Sequence, residues 1–224
     1  MTALIEEKSV APEFVPELDA PIEITRRRID HLLVWSGAAI AVVLLVAGVL
    51  LTWGSTFSQD YVDDELSAQA ITFPPAESLV EEGRDDLVRF GGEQVNTGEE
   101  AEAYASFIQG HVVGIADGAT YAELGDVERA AEAELTAALE SGAPAAEVTA
   151  LEETAAGVSG QRDSIFRGEM LRGALLSTFA WATIGQIAGY AAIAAFAGAL
   201  VMAGLVIAGA LHLRKTAKHT AATA

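Results

Sequence analysis

The chain has 224 residues, a formal net charge of −19, a mean hydropathy of +0.33 and no cysteine. The missing thiols exclude disulfides, thiolate metal sites and cysteine nucleophiles. The acidity argues against nucleic acid as a partner, because a phosphate backbone is bound by cationic surface.

Residues 1–25 combine Pro12, Pro16 and Pro21 with scattered acids and few large apolar side chains, a composition that reads as a disordered tail. With Arg26, Arg27 and Arg28 it forms an N-terminal segment of residues 1–30. His31–Trp53 then has no charged residue over 23 positions, long enough for a helix to cross a hydrocarbon core of roughly 30 Å. Its distance from the start suits a signal anchor rather than a cleaved signal peptide, and Ala68-Gln69-Ala70 lies too far downstream to serve as a usual cleavage site.

From Gly54 to Gly173 the residues are acidic and helical in pattern. Trp53, Phe57, Tyr61 and Leu66 suit a helix leaving a membrane interface, stopped by Ile71-Thr72-Phe73-Pro74-Pro75. Pro75 opens a helix whose apolar stripe, Leu79, Leu87, Val88 and Phe90, predicts one element up to Gly91-Gly92. Thr97 with Glu100, and Thr120 with Glu123, form capping boxes before two further helices, closed by Asp117-Gly118 and by Gly142. Pro144 opens another helix, and the short Ser141-Gly142-Ala143 link predicts a helical hairpin over residues 120–160. No strand pattern of useful length occurs.

No strong breaker follows Pro144, and Gly157 and Gly160 are the expected kink points. Gly173–Leu213 carries no charged residue over 41 positions. Its last part, about residues 191–213, is long enough to be a second span. Residues 174–190 exceed what that span needs. They form a third span, or pack against Trp53, Phe57 and the helices above, or meet another subunit. Gly185 and Gly189 make a GxxxG step, continued by Ala195, Ala199 and Ala203, a small-residue face for helix packing or for a partner.

Lys and Arg near the span ends set orientation. Arg26–Arg28 precede the first span and Arg214, Lys215 and Lys218 follow the second, so both termini are expected in the cytoplasm, with residues 214–224 a basic tail. Between the spans, 25 acidic residues stand against six Arg and no Lys, so the whole net charge belongs to that segment. The fold class expected is an all-α membrane protein of the plasma membrane, two transmembrane helices with an extracytoplasmic helical domain, a hairpin or bundle.

Catalysis needs converging groups of matched pKa, and only His31, His111, His212 and His219 are available among histidines. His111 alone lies between the spans, where spacing places it on a face with Phe107 and Ile115 as a half-buried structural residue. Asp117, Glu123, Asp126 and Glu128 cluster near Gly118 without the alternating spacing of a calcium loop. Neither a cofactor nor a metal is expected, and no catalytic residue. Arg167, Glu169 and Arg172 stand just before the uncharged block; Glu169 and Arg172 are spaced for an intrahelical ion pair, and the three together for a contact at the outer interface.

Thr72-Phe73-Pro74, Gly114-Ile115-Ala116-Asp117-Gly118 with Thr120-Tyr121, Gly160-Gln161-Arg162 and Phe166-Arg167-Gly168-Glu169-Met170-Leu171-Arg172-Gly173 resemble a family of uncharacterised actinobacterial two-span membrane proteins. The resemblance covers about residues 72–213 and implies topology and lineage, not an activity. A ring-opening dioxygenase is not supported by the residues, since a non-haem iron site needs clustered His and carboxylates. The function expected is a structural or accessory subunit that sits among membrane lipid and docks a larger envelope or respiratory assembly or self-associates, with a protein partner or a homo-oligomer. The alternatives are an extracytoplasmic ligand sensor and, through His111, a membrane hydrolase.

Overall fold

A computed structural model describes residues 26–222, and the side chains of residues 28–215, as an all-helical chain. The tail of residues 1–25 lies outside the described residues. The elements are α1 (Arg26–Gln69), α2 (Ala76–Glu81), a 3-10 helix (Asp85–Phe90), α3 (Gly98–Ile115), α4 (Tyr121–Ser141) and α5 (Ala145–Ala222). Two of them, α1 and α5, are long and apolar enough to cross a membrane, and only 17% of the most apolar window of each is buried, unlike the core helix of a soluble protein. The chain divides into two compact units, with boundaries at residues 42/43 and 199/200.

In the first unit, α1 up to Val42 lies beside α5 from Leu200. Small residues set the approach. A Cβ on Gly37 would stand 3.0 Å from Val206 Cγ2, and one on Gly209 would stand 3.0 Å from Val34 Cγ2. Because Val34 precedes Gly37 while Gly209 follows Val206, the two segments run antiparallel here.

In the second unit, residues 43–199, α1 ends at Ala70, whose φ of 51° turns the chain out of the helix. The following extended stretch is held by backbone bonds from Phe73 N to Glu93 O (2.9 Å) and from Val95 N to Ile71 O (2.8 Å). The single helix expected from Pro75 to Gly91 is in fact two elements. Gly83 adopts φ 72°, which a residue without Cβ does at little cost, and Arg84 N bonds back to Leu79 O at 2.8 Å in a Schellman closure. The break frees Arg84 to reach Asp86 and both the carbonyl and hydroxyl of Ser106 on α3. It also turns Leu87 and Phe90 into the same core as Leu79.

That core joins Val62 and Leu66 of α1, Phe73, Leu79, Leu87, Phe90, Val95, Ala101, Ala105 and Phe107 to Leu175 of α5. Phe73 stacks on Phe90 and meets Tyr104 edge-on, with centroids 5.2 and 5.1 Å apart. Both capping boxes form as the spacing predicts, and Gly142 takes the left-handed conformation that closes α4. The helical hairpin about Gly142 also forms, with Arg162 of α5 reaching Glu128 of α4 and lying over the Tyr121 ring.

α5 stays helical through Gly157, Gly160 and Tyr190. The turn that a third span needs near Tyr190 is therefore missing. A second small cluster, Val112, Leu124 and Ile165, ties α3 and α4 to α5, and a Cβ on Gly168 would overlap Val112.

Candidate functional site

The residues of greatest interest lie where α1, α3 and α5 meet in the second unit. Along α1, the positions turned toward α5 are Leu44, Gly48, Leu51, Ser55, Ser58 and Val62, alternating steps of three and four, the repeat of a left-handed helix pair. The corresponding face of α5 carries Gly185, Gly189, Ala192, Ala195 and Ala199. A Cβ on Gly185 would come 2.7 Å from Ser58 Cβ, one on Gly189 2.9 Å from Ser55 Oγ, and one on Gly48 2.8 Å from the Phe196 ring. Close approach lets a side chain bridge the two helices: Ser58 Oγ donates to Trp181 O at 2.7 Å, while within α1 Gln59 Nε2 donates to Ser55 Oγ at 3.1 Å.

The small-residue face is thus occupied within the chain. Gly185, Ala195 and Ala199 are buried and Gly189 is half-buried in this packing, while Ala203, in the first unit, is half-buried. Residues 174–190 do pack against α1, as one of the expectations had it, but not against Trp53 and Phe57. Those two are 65% and 59% exposed; Trp53 stacks on Phe57 and Phe57 on Tyr61, forming a ladder on a different face of α1. The small side chains of Ser55 and Ser58 let Gly185 and Gly189 of α5 come close on that face.

Two concavities flank the seam. On one side an open cleft of about 940 Å³ is lined by Gln59, Asp60, Asp63, Glu99, Glu102 and Gln186 among others. On the other, a groove of about 450 Å³ runs between α1 and α5, walled by Tyr61 and Trp181 and floored by Val62, Leu66 and Leu175.

Arg167, Glu169 and Arg172 do not converge on one contact. Arg172 pairs with Glu169 at 3.2 Å, as their spacing predicts, and Arg167 pairs with Asp163 at 2.8 Å. His111 is more exposed than the half-buried position expected. Its ring packs edge-on against Phe107 at 4.5 Å, its Nδ1 lies 3.2 Å from Phe107 O, and Glu82 is its nearest carboxylate at 3.7 Å.

The acids near Gly118 serve as caps and pair members. Glu123 accepts from Thr120 N and Oγ1, and these bonds hold its carboxyl below the usual carboxylate range. Asp126 pairs with Arg129. Glu128 is held low by hydrogen bonds from Ser159 and then from Arg162, and Asp86 by its hydrogen bond from Arg84. Burial pushes the Tyr104 hydroxyl up. Among the described residues, no three His, Asp or Glu side chains are placed to hold a metal ion.

Sequence reasoning missed the α1 half of the seam and the Arg162–Glu128 tie. The first could have been found by residue size, since Gly48, Ser55 and Ser58 stand at heptad-like steps in a run where hydropathy is uniform. The second depends on hairpin register and left no local signal.

Comparison of the chain with family models, with curated proteins and with solved structures found no match.

Proposed function

We propose that the chain is a two-span plasma-membrane protein with both termini in the cytoplasm and its acidic helical domain outside, acting as a non-enzymatic structural or accessory subunit of a larger membrane assembly. The charge flanks support the orientation, with Arg26–Arg28 before α1's uncharged stretch and Arg214 and Lys215 after that of α5. The Ser58–Gly185 contact supports the depth. His31–Gln59 is uncharged over 29 residues, and Gly185–Leu213, from the residue facing Ser58 onward, is also 29 residues. Each gives about 43 Å of helix at 1.5 Å per residue, the thickness of a bilayer with its headgroup regions. On this reading the second span begins near Gly185 rather than at residue 191, and residues 174–184 stand outside the bilayer beside Asp60, Asp63 and Glu65.

The observation that carries the accessory role is the apolar surface left over beside the seam. Trp53, Phe57, Tyr61, Trp181, Ile184 and Ile187 are each more than half exposed, although the helices bearing them are already paired. Exposed aromatics at a bilayer edge serve both lipid anchoring and protein contact. With the glycine and alanine face occupied internally, a partner subunit or a second copy would use this other face.

Affinity purification from native membranes in mild detergent, with mass spectrometry of co-eluting proteins and crosslinking from Phe57 and Ile184, tests the proposal. Stoichiometric recovery of one partner, or of a crosslinked homo-oligomer, is expected. A monomer that co-elutes with nothing and gives no crosslink would refute the accessory role.

A further inference from the structure

We infer that the groove between α1 and α5 takes one hydrocarbon chain of a bilayer lipid whose headgroup is uncharged or zwitterionic. The inference rests on the membrane reading proposed above. The floor is buried and apolar, with Val62, Leu66 and Leu175 at 3%, 5% and 3% exposure, while the walls, Tyr61 and Trp181, are 54% and 58% exposed and flank its mouth. Ser58 Oγ donates to the Trp181 carbonyl, which ties the backbone beneath that wall to α1.

The groove also has an apolar approach from the membrane side. Trp53, Phe57 and Tyr61 stack in sequence, with centroids 5.8 and 6.2 Å apart, and Tyr61 is at once the end of that ladder and a wall of the groove. A lipid chain leaving the bilayer beside Trp53 meets aromatic surface all the way in.

Size and charge select the occupant. From Trp181 to Leu171 the groove follows eleven residues of α5, about 15 Å of helix, and its volume is about 450 Å³. A partner helix, 10 to 12 Å across with its side chains, would need roughly three times that volume over the same length. An extended alkyl chain is narrow enough. No Lys or Arg lines the groove, Glu65 is its only charged residue, and the surrounding domain carries the whole net charge of −19. An anionic headgroup, or the carboxylate of a free fatty acid, would be repelled at the mouth.

The test uses the full chain in phosphatidylcholine nanodiscs containing a small fraction of phosphatidylcholine with a photoactivatable diazirine on one acyl chain, followed by peptide mapping. Adducts are expected on residues 61–71 and 171–181 as well as on the two spans. Thr178→Trp, which fills the groove and removes only a bond to the Ala174 carbonyl of its own helix, should cut the groove adducts at least fivefold and leave span adducts unchanged. Moving the diazirine to an anionic phosphatidylglycerol should lower groove labelling at least threefold. Span adducts without groove adducts, groove adducts indifferent to Thr178→Trp, equal labelling by the anionic lipid, or a crosslink between two copies through this groove would each overturn the inference while leaving the membrane reading intact. Absence of adducts on the spans would instead defeat the membrane reading on which it rests.

Discussion

Ser58 on α1 and Gly185 on α5 are fitted to one another: the absent side chain of Gly185 leaves the space in which the Ser58 hydroxyl reaches the Trp181 carbonyl. Any Cβ at position 185 would meet Ser58 Cβ at 2.7 Å and Oγ at 2.8 Å, closer than such atoms normally approach, so either the helices part or the hydrogen bond is lost.

Gly185→Ala should therefore destabilise the protein by about 1–3 kcal/mol, the usual cost of overpacking. Ser58→Ala, which removes the bridge without a clash, should cost only about 0.6 kcal/mol. Gly54→Ala is the control, since a Cβ there meets nothing within 4 Å. Unfolding of the three variants in detergent, followed by circular dichroism, gives the order; equal loss in the glycine variants would contradict a close seam.

The capping boxes yield a second ordering. Glu100 Oε2 accepts from the backbone N of both Asn96 and Thr97, each at 2.9 Å, while Thr97 Oγ1 accepts only from Glu100 N. Thr97→Ala should cost about 1 kcal/mol, and Glu100→Ala should cost more because it strands two donors. Hydrogen exchange in the first turn of α3 should rise in the same order.

Acid should loosen the polar domain. Asp86, Glu123 and Glu128 all have folded pKa values depressed by hydrogen bonds. A depressed carboxyl contributes stability that is fully present above its unfolded pKa, near 4, and is lost as pH falls through the folded value. The unfolding temperature is thus expected to hold from pH 7 to about 5 and to drop below it. Glu128→Gln should flatten that drop. An acid limb identical to that of the unmodified chain would remove Glu128 from the account.

Arg162 combines an ion pair with Glu128, a position over the Tyr121 ring at 4.3 Å from its centroid, and a place against Gly125. A planar guanidinium can meet all three at once and an ammonium cannot. Arg162→Lys should lower the unfolding temperature nearly as far as Arg162→Leu, with Gly125→Val similar to both. Full rescue by lysine would reduce the site to a simple charge pair.

Much of this architecture is legible in the residues, because its determinants are local. Thr97 with Glu100, Thr120 with Glu123, and Gly142 announce helix ends through hydrogen bonds within a few residues, and the uncharged runs announce α1 and α5. The helix break at Gly83 was written in the sequence as well, yet the apolar spacing from Leu79 to Phe90 masks it, since 3-10 and α-helical turns present nearly the same stripe over so short a run. The seam was harder to read. Inside an apolar run nearly every residue is hydrophobic, so the face that packs differs in size rather than polarity, and Trp53 and Phe57 attract notice although Ser55 and Ser58 make the contact. The tie between Arg162 and Glu128 follows only once the hairpin fixes which residues of α4 and α5 stand level.

On the proposed topology α1 and α5 cross the membrane with the acidic domain outside and both ends inside. The chain has no cysteine, so single cysteines report without background. Intact cells expressing Ser9→Cys, Thr136→Cys or Ala217→Cys are treated with a membrane-impermeant maleimide before and after permeabilisation. Labelling of position 136 in intact cells, with positions 9 and 217 labelled only after permeabilisation, is the predicted result; labelling of either terminal position from outside, or protection of position 136, would contradict it.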